Sequence, residues 1–194
     1  VDPRIPADIP GKDRYRQLYR NGLESEAEWL RRCAVEKVDS IEILLKRNGI
    51  VPRTILELGC GTGAVLQECR RRNLGTEYLA VDAAPEAVGY VRDHVEGVEV
   101  MLGDITGPGF RIDRPVDLLV LSHVLEHLED PKGFLGAMRK SVAFRYAVVE
   151  VPLEDLAYSR IKNIFIDRES NKSGHVNFFS VRAVLELLEQ NRMK

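Results

Sequence analysis

Ile55-Leu56-Glu57-Leu58-Gly59-Cys60-Gly61-Thr62-Gly63 is the stretch whose reading decides the fold. A short apolar run reads as a buried strand, glycine follows at alternate positions, and a helical pattern opens directly afterwards. Glycines in such a place let the chain turn tightly and let a ligand approach main-chain N–H groups with no Cβ in the way. Outward from this stretch the same rhythm recurs. Runs rich in Val, Ile and Leu at 54–58, 78–81, 98–102, 116–121 and 146–151 read as strands. Helical stretches near 63–72, 85–95 and 131–140 separate them. Pro85 and Pro131 suit first-turn positions, Asp130 is a natural N-cap, and a last helix is predicted from a Ser180 cap through Val184, Leu185 and Leu188. Strands alternating with helices imply βαβ units and an α/β fold with a doubly wound, mostly parallel sheet.

Ahead of the sheet, 13–47 is predicted helical, broken near Asn21-Gly22, with Leu23, Leu30, Val35, Val38, Ile41 and Leu44 as its apolar positions and Gly49 as a stop. The first eleven residues, with three prolines, read as an extended arm. The 194 residues suffice for one domain, and 44% hydrophobic with 30% charged residues is a globular composition. A net charge of −2 provides no field for nucleic acid or anionic lipid. The run Arg70-Arg71-Arg72 ends a predicted helix, where it meets the helix dipole and solvent. Cys33, Cys60 and Cys69 form no CxxC spacing, which points to a reducing compartment. There is neither a secretory h-region nor an apolar run near the roughly 20 residues that span a bilayer. A cytoplasmic protein is expected. The start at Val1 instead of Met, and an end inside a helical pattern, predict a piece of a longer polypeptide.

The glycine loop alone is ambiguous. Gly59-x-Gly61-x-x-Ala64 with Asp82 at the end of the next strand also satisfies a dinucleotide fingerprint, and an NAD(P)-dependent oxidoreductase stays open on it. Three features favour a ligand with a positively charged end. Glu57 stands two residues before the first glycine, where it would repel a pyrophosphate; Gly63 extends the pattern to E-x-G-x-G-x-G; and Asp104 ends the third strand.

Glu57-Leu-Gly-Cys-Gly-Thr-Gly63, Val81-Asp82, Gly103-Asp104-Ile105 and Ser122-His-Val-Leu-Glu-His-Leu-Glu-Asp-Pro131 resemble the successive motifs of class I S-adenosylmethionine (SAM)-dependent methyltransferases. The resemblance covers residues 30–190 and implies a Rossmann-like fold. Residues 1–50 would form an arm and helical lid, and 51–194 the SAM-binding domain. It implies that Glu57, Gly59, Gly61 and Gly63 line the methionine end of SAM. Asp82 with Ala83 would hold the ribose, Asp104 with Ile105 the adenine, and the Ser122 backbone the ammonium. Lys37 and Tyr19, on the helices before the sheet, complete the cofactor residues. Lys37 stands where related enzymes place a cation for the SAM carboxylate, although Glu36 and Asp39 beside it also fit a solvated face. Trp29 is expected to pack on the sheet. The family's sheet usually ends in an antiparallel strand pair, which this chain stops short of.

His123-Val-Leu-Glu126-His127 follows the fourth strand, at the end of the sheet where ligands bind. H-x-x-E-H is also an inverted zinc-peptidase signature, but that one needs a continuous helix, and here Asp130-Pro131 starts a new one. The segment is similar to the E-x-x-E-H variant of some RNA-terminal and ubiquinone-pathway O-methyltransferases, which binds a divalent ion. His175 would complete such an N/O set. The preferred expectation is metal-free: His175, His127 and His123 are the catalytic candidates, a general base being drawn from imidazoles that titrate near neutrality. The segment 153–179 is expected to fold over the pocket, and His94 to be a surface residue. The expected reaction is in-line methyl transfer from SAM to a small molecule, leaving S-adenosylhomocysteine. A sugar, glycoconjugate or natural product is the first candidate acceptor. A non-catalytic SAM-binding domain is the remaining alternative.

Overall fold

A computed structural model describes residues 11–153 and 175–193, with the backbone alone for 11–16. The expected arm and most of the 153–179 segment lie outside them. The elements are α1 (Gly11–Arg47), β1 (Thr54–Leu58), α2 (Ala64–Arg71), β2 (Glu77–Asp82), α3 (Pro85–His94), β3 (Val98–Leu102), β4 (Ile112–Ser122), a 3-10 turn (Leu125–His127), α4 (Pro131–Ser141), β5 (Val142–Glu150) and α5 (Val181–Gln190). The described strands form one parallel sheet in the order β3-β2-β1-β4-β5. The chain winds outward in both directions from β1, as a Rossmann-like doubly wound fold does. The order reverses between β1 and β4, so a crevice opens at their C-terminal ends.

β1 is buried along its whole length because helices cover both faces. The two-residue period of a strand sorts its side chains. Ile55 joins Ala80, Leu118 and Val120 under α1, α2 and α3. Leu56 and Leu58 join Leu79, Leu119 and Leu121 under α4 and α5. By the same alternation Glu57 falls on the α1 and α2 side. Among the described helices none is long and apolar enough to cross a membrane.

Two sequence expectations are corrected here. β4 begins at Ile112 and β5 at Val142, earlier than the apolar runs suggested, because pairing starts at Ile112↔Val142 and skips through a bulge before Val116↔Phe144. Pro115, which lacks an N–H for the ladder, sits in that irregularity. The expected break is present: α1 is interrupted at Gly22, where φ is −164° and ψ 37°. Its inward stripe is Ala34, Val38, Ile41 and Leu45, which leaves Val35 and Leu44 exposed and Trp29 59% exposed instead of packed. His94 is exposed as expected and stacks on Tyr90.

Within the arginine run Arg70 and Arg71 are exposed in the last turn of α2, as expected, and Arg72 departs from a solvated helix end. Arg72 is only 13% exposed and reaches from the end of α2 to α1, bonding Asp39 at 2.5 Å, Glu42 at 3.1 Å and the Val35 carbonyl at 3.1 Å, with Glu68 at 2.7 Å on its own helix. Asp39 therefore serves as an interhelical partner. Arg72→Met should lower the melting temperature by leaving Glu42 and Glu68 with less compensation, and the loss should shrink in high salt. An unchanged melting curve at low salt would count against the network as what joins α1 to α2.

Candidate active site

Beyond Leu58 the backbone turns against the end of β2: the N–H groups of Gly59 and Cys60 both donate to the Val81 carbonyl, at 2.8 and 3.1 Å. Gly59 and Gly61 have φ of +74° and +53°, and a Cβ there would lie 2.9 Å from Val124 Cγ2 and 2.6 Å from Tyr19 Oη. Backbone conformation and close approach thus both demand glycine. Gly63 is different: it opens α2 and faces Val91 of α3, outside the residues that line the cleft.

Asp82 fastens this turn. Gly61 N–H donates to its Oδ2 at 2.7 Å and Ala84 N–H to its Oδ1 at 2.9 Å, so one carboxylate ties the glycine loop to the start of α3. Asp104 does the same for the next loop, accepting from the Thr106 amide at 3.0 Å and hydroxyl at 2.7 Å. Together with α1 these loops enclose a cleft of about 900 Å³, at the upper end of the roughly 300–1,000 Å³ typical of small-ligand sites. Tyr19, Lys37, Glu57, Gly59, Gly61, Asp82, Ala83, Asp104, Ile105 and Ser122 all line it. So do residues the sequence did not single out, among them Phe110, Leu128 and Thr106.

Glu57 is the electrostatic anomaly of the cleft. It is 2% exposed, and Oε2 has no hydrogen-bond partner among the described residues. Burial pushes its carboxyl up to about 8; Lys37 on α1 and a backbone contact from Leu66 draw it down, while Asp82 and Glu150 push it further up. Glu150 was missed in the sequence. Its signal in the sequence is its place at the end of β5, the counterpart of Asp82 at the end of β2. Oε2 of Glu150 accepts from the Ser122 hydroxyl at 2.7 Å and its carbonyl from the His123 amide at 2.9 Å.

His123 follows β4 with φ of +57°, a left-handed conformation that is uncommon for a residue with a side chain. Its Nδ1 stands 3.2 Å from Oε1 of Glu126, which is fully buried; His127 Nε2 stands 3.9 Å from the same oxygen. Neither Glu126 oxygen accepts a well-formed hydrogen bond among the described residues. Burial pushes the Glu126 carboxyl up, but His123, the Glu126 backbone amide and His127 together outweigh it and leave the carboxyl below its ordinary value. His175 reaches the group through Val176 and Asn177, whose amides donate to the Glu126 carbonyl at 2.8 and 3.0 Å. Its ring meets His127 edge-on at 5.0 Å, and one ligand atom each of Glu126, His127 and His175 lie within 4.8 Å of one another. His123 and His127 line the cleft; for His175 it is the neighbouring Val176 that does so.

A family profile described as a methyltransferase domain matches residues 27–191. The chain belongs to this family. The membership places it among the class I SAM-dependent methyltransferases, with SAM as their cofactor. The ubiquinone biosynthesis O-methyltransferase of Schizosaccharomyces pombe is 32% identical over 106 residues, 52% of this chain and 38% of that protein. Its counterpart in Aeromonas salmonicida is 30% identical over 97 residues, 48% and 40% of the two chains. The matches thus span about two fifths of these curated relatives. Among solved structures, a SAM-dependent methyltransferase of Thermotoga maritima superposes with a TM-score of 0.67 at 15% identity, covering 91% of this chain and 80% of that one. Magnesium protoporphyrin IX methyltransferase of Synechocystis PCC 6803, solved with S-adenosylhomocysteine, gives 0.60 at 17% identity, covering 80% and 71%.

In this methyltransferase domain Glu57 makes the stability of the cofactor-free protein pH-dependent. The unfolded carboxyl ionises near its ordinary 4.5 and the folded one near 8. The folded state keeps a proton that the unfolded state loses, so the stability it contributes is complete below about 4.5 and is lost as pH rises to about 8. Melting curves of the cofactor-free chain should fall between pH 6 and pH 8, and Glu57→Gln should flatten that fall. The same fall in the variant would assign it to other groups.

Proposed function

We propose that the chain transfers the SAM methyl group to a hydroxyl of a small molecule, with donor and acceptor in the one cleft. The observation that carries this reading is that the cofactor-side residues line the same cavity of about 900 Å³ as His123 and His127. In this reading Glu57, Gly59 and Gly61 border the methionine end of SAM, with Lys37 facing the carboxylate and the Ser122 backbone near the ammonium. Asp82 and Ala83 border the ribose, Asp104 and Ile105 the adenine, and Tyr19 closes over the glycine loop. Gly63 supports the loop through its packing. Within the proposed division into 1–50 and 51–194, α1 acts as the lid on the SAM-binding domain. The acceptor's nucleophile attacks in line, the C–S bond breaks, and S-adenosylhomocysteine remains. Holding two reactants in this geometry supplies much of the acceleration.

His127 takes the hydroxyl proton, with His123 as the second candidate on the cleft wall and His175 orienting the His127 ring from behind. Val124, Leu128 and Val176 favour an acceptor with an apolar body, and the relatives' names favour O-methylation. A sugar or glycoconjugate hydroxyl stays the finer sequence-based candidate, and nucleic acid is not expected. A cytoplasmic setting belongs to the same reading, supported by three free thiols. SAM and S-adenosylhomocysteine should raise the melting temperature by mass action, and NAD should not. Asp82→Ala should weaken SAM binding by loosening the loop its carboxylate ties down. A shift with NAD alone would return the dinucleotide reading, and SAM binding without turnover on a metabolite pool would favour a non-catalytic domain.

One observation favours a second reading, in which a divalent ion assists. The buried, hydrogen-bond-poor Glu126 carboxylate and two imidazoles with ligand atoms within 4.8 Å fit a metal. Glu126, His127 and His175 would hold it, and it would make the acceptor hydroxyl more acidic. The two readings separate cleanly. In the metal-free case EDTA leaves turnover intact and His127→Ala lowers it by roughly 100- to 10,000-fold, the usual range for a general base. Loss of activity with EDTA, and its return with Zn²⁺ or Fe²⁺, would establish the second reading instead.

A further inference from the structure

Glu57 and Asp82 line the cleft together with Lys37, and Glu150 stands behind the cleft-lining Ser122, from whose hydroxyl it accepts a hydrogen bond. Glu57 comes from β1, Asp82 from β2 and Glu150 from β5, while Lys37 faces Glu57 from α1. The buried thiols of Cys60 in the loop and Cys69 on α2 also lie within reach of Glu57. Asp82 accepts two amide hydrogen bonds and Glu150 one from a hydroxyl. Glu57 is the most deeply buried of the three, with one oxygen lacking any partner among the described residues. Three ionised carboxylates against one ammonium, with the central one out of water, is an unfavourable arrangement. It becomes favourable when a ligand brings positive charge.

We propose that Glu57 holds a proton in the empty cleft and releases it to solvent when SAM binds, so that this carboxyl distinguishes the sulfonium donor from its uncharged sulfide product. The proposal rests on SAM being the donor. The Glu57 O–H bond breaks, the proton passes to buffer, and the carboxylate stays as counter-charge to the sulfonium and ammonium. After transfer the sulfur is neutral, Glu57 regains its proton, and S-adenosylhomocysteine is held less tightly than SAM. Glu57 is then a specificity residue for cofactor over product.

Calorimetric titration of the whole chain at pH 7, in phosphate and in Tris, counts the protons exchanged per ligand bound. SAM should release nearly one proton more from the wild type than from Glu57→Gln, and S-adenosylhomocysteine distinctly fewer. The comparison with the variant cancels the ligands' own α-amino group, which titrates at roughly 7.7–8.0. Between pH 6 and 7 the wild type's SAM affinity should rise by up to about tenfold, as displacement of one proton requires, and the variant's should not. Equal proton counts for wild type and variant would overturn the proposal and leave SAM binding standing. Failure of the wild type to bind SAM at all would overturn it together with the reading beneath it. If Glu57→Gln does not fold, the wild type carries the test: equal pH slopes for SAM and S-adenosylhomocysteine would overturn the proposal.

Discussion

The Asp82 carboxylate and the Val81 carbonyl hold the loop after β1 in place through three amide groups: Gly59 and Cys60 on the carbonyl, Gly61 on the carboxylate. The arrangement requires positive φ at successive glycines and a neighbouring strand of matching length, which the parallel register from Thr54↔Glu77 to Leu58↔Val81 supplies. With the loop pinned, α2 starts from Gly63, its N-terminus beside the cleft, and Tyr19 closes over Gly61. Asp82 is therefore part of the scaffold as well as of the cleft wall.

The charge distribution follows from that geometry. Strand alternation sends Glu57 to the face covered by α1 and α2, where little water reaches it, and α1 brings Lys37 towards it. A buried acid is costly unless paired, and Lys37 offsets only part of the cost. A ligand that arrives with positive charge would offset the rest, which agrees with the SAM cofactor of the family.

After β4 a second buried acid, Glu126, organises the histidines. The 3-10 turn Leu125–His127 sets His127 beside it, the left-handed backbone at His123 sets that ring within 3.2 Å, and the segment from His175 is docked by two amides on the Glu126 carbonyl. A carboxylate flanked by imidazoles suits either proton transfer or metal binding, because both need a negative charge that fixes imidazole orientation.

Much of this was legible in the sequence, since it depends on local rules. Apolar runs of strand length, glycines at alternate positions, Pro85 and Pro131 at first turns and the Asp130 and Ser180 caps each specify their own segment, and the structure realises them. The order of acids at strand ends likewise placed Asp82 and Asp104 at the cleft, because parallel strands all end on one side. What the sequence could not show depends on distance between segments. The anomalous ionisation of Glu57, the Arg72 bridge from α2 to α1, the hold of Glu150 on Ser122 and the approach of His175 to His127 join residues 20 to more than 90 positions apart. Desolvation and ion pairing act through space, so only the packed fold could decide which of the acids and histidines would be buried, paired or left facing the cleft.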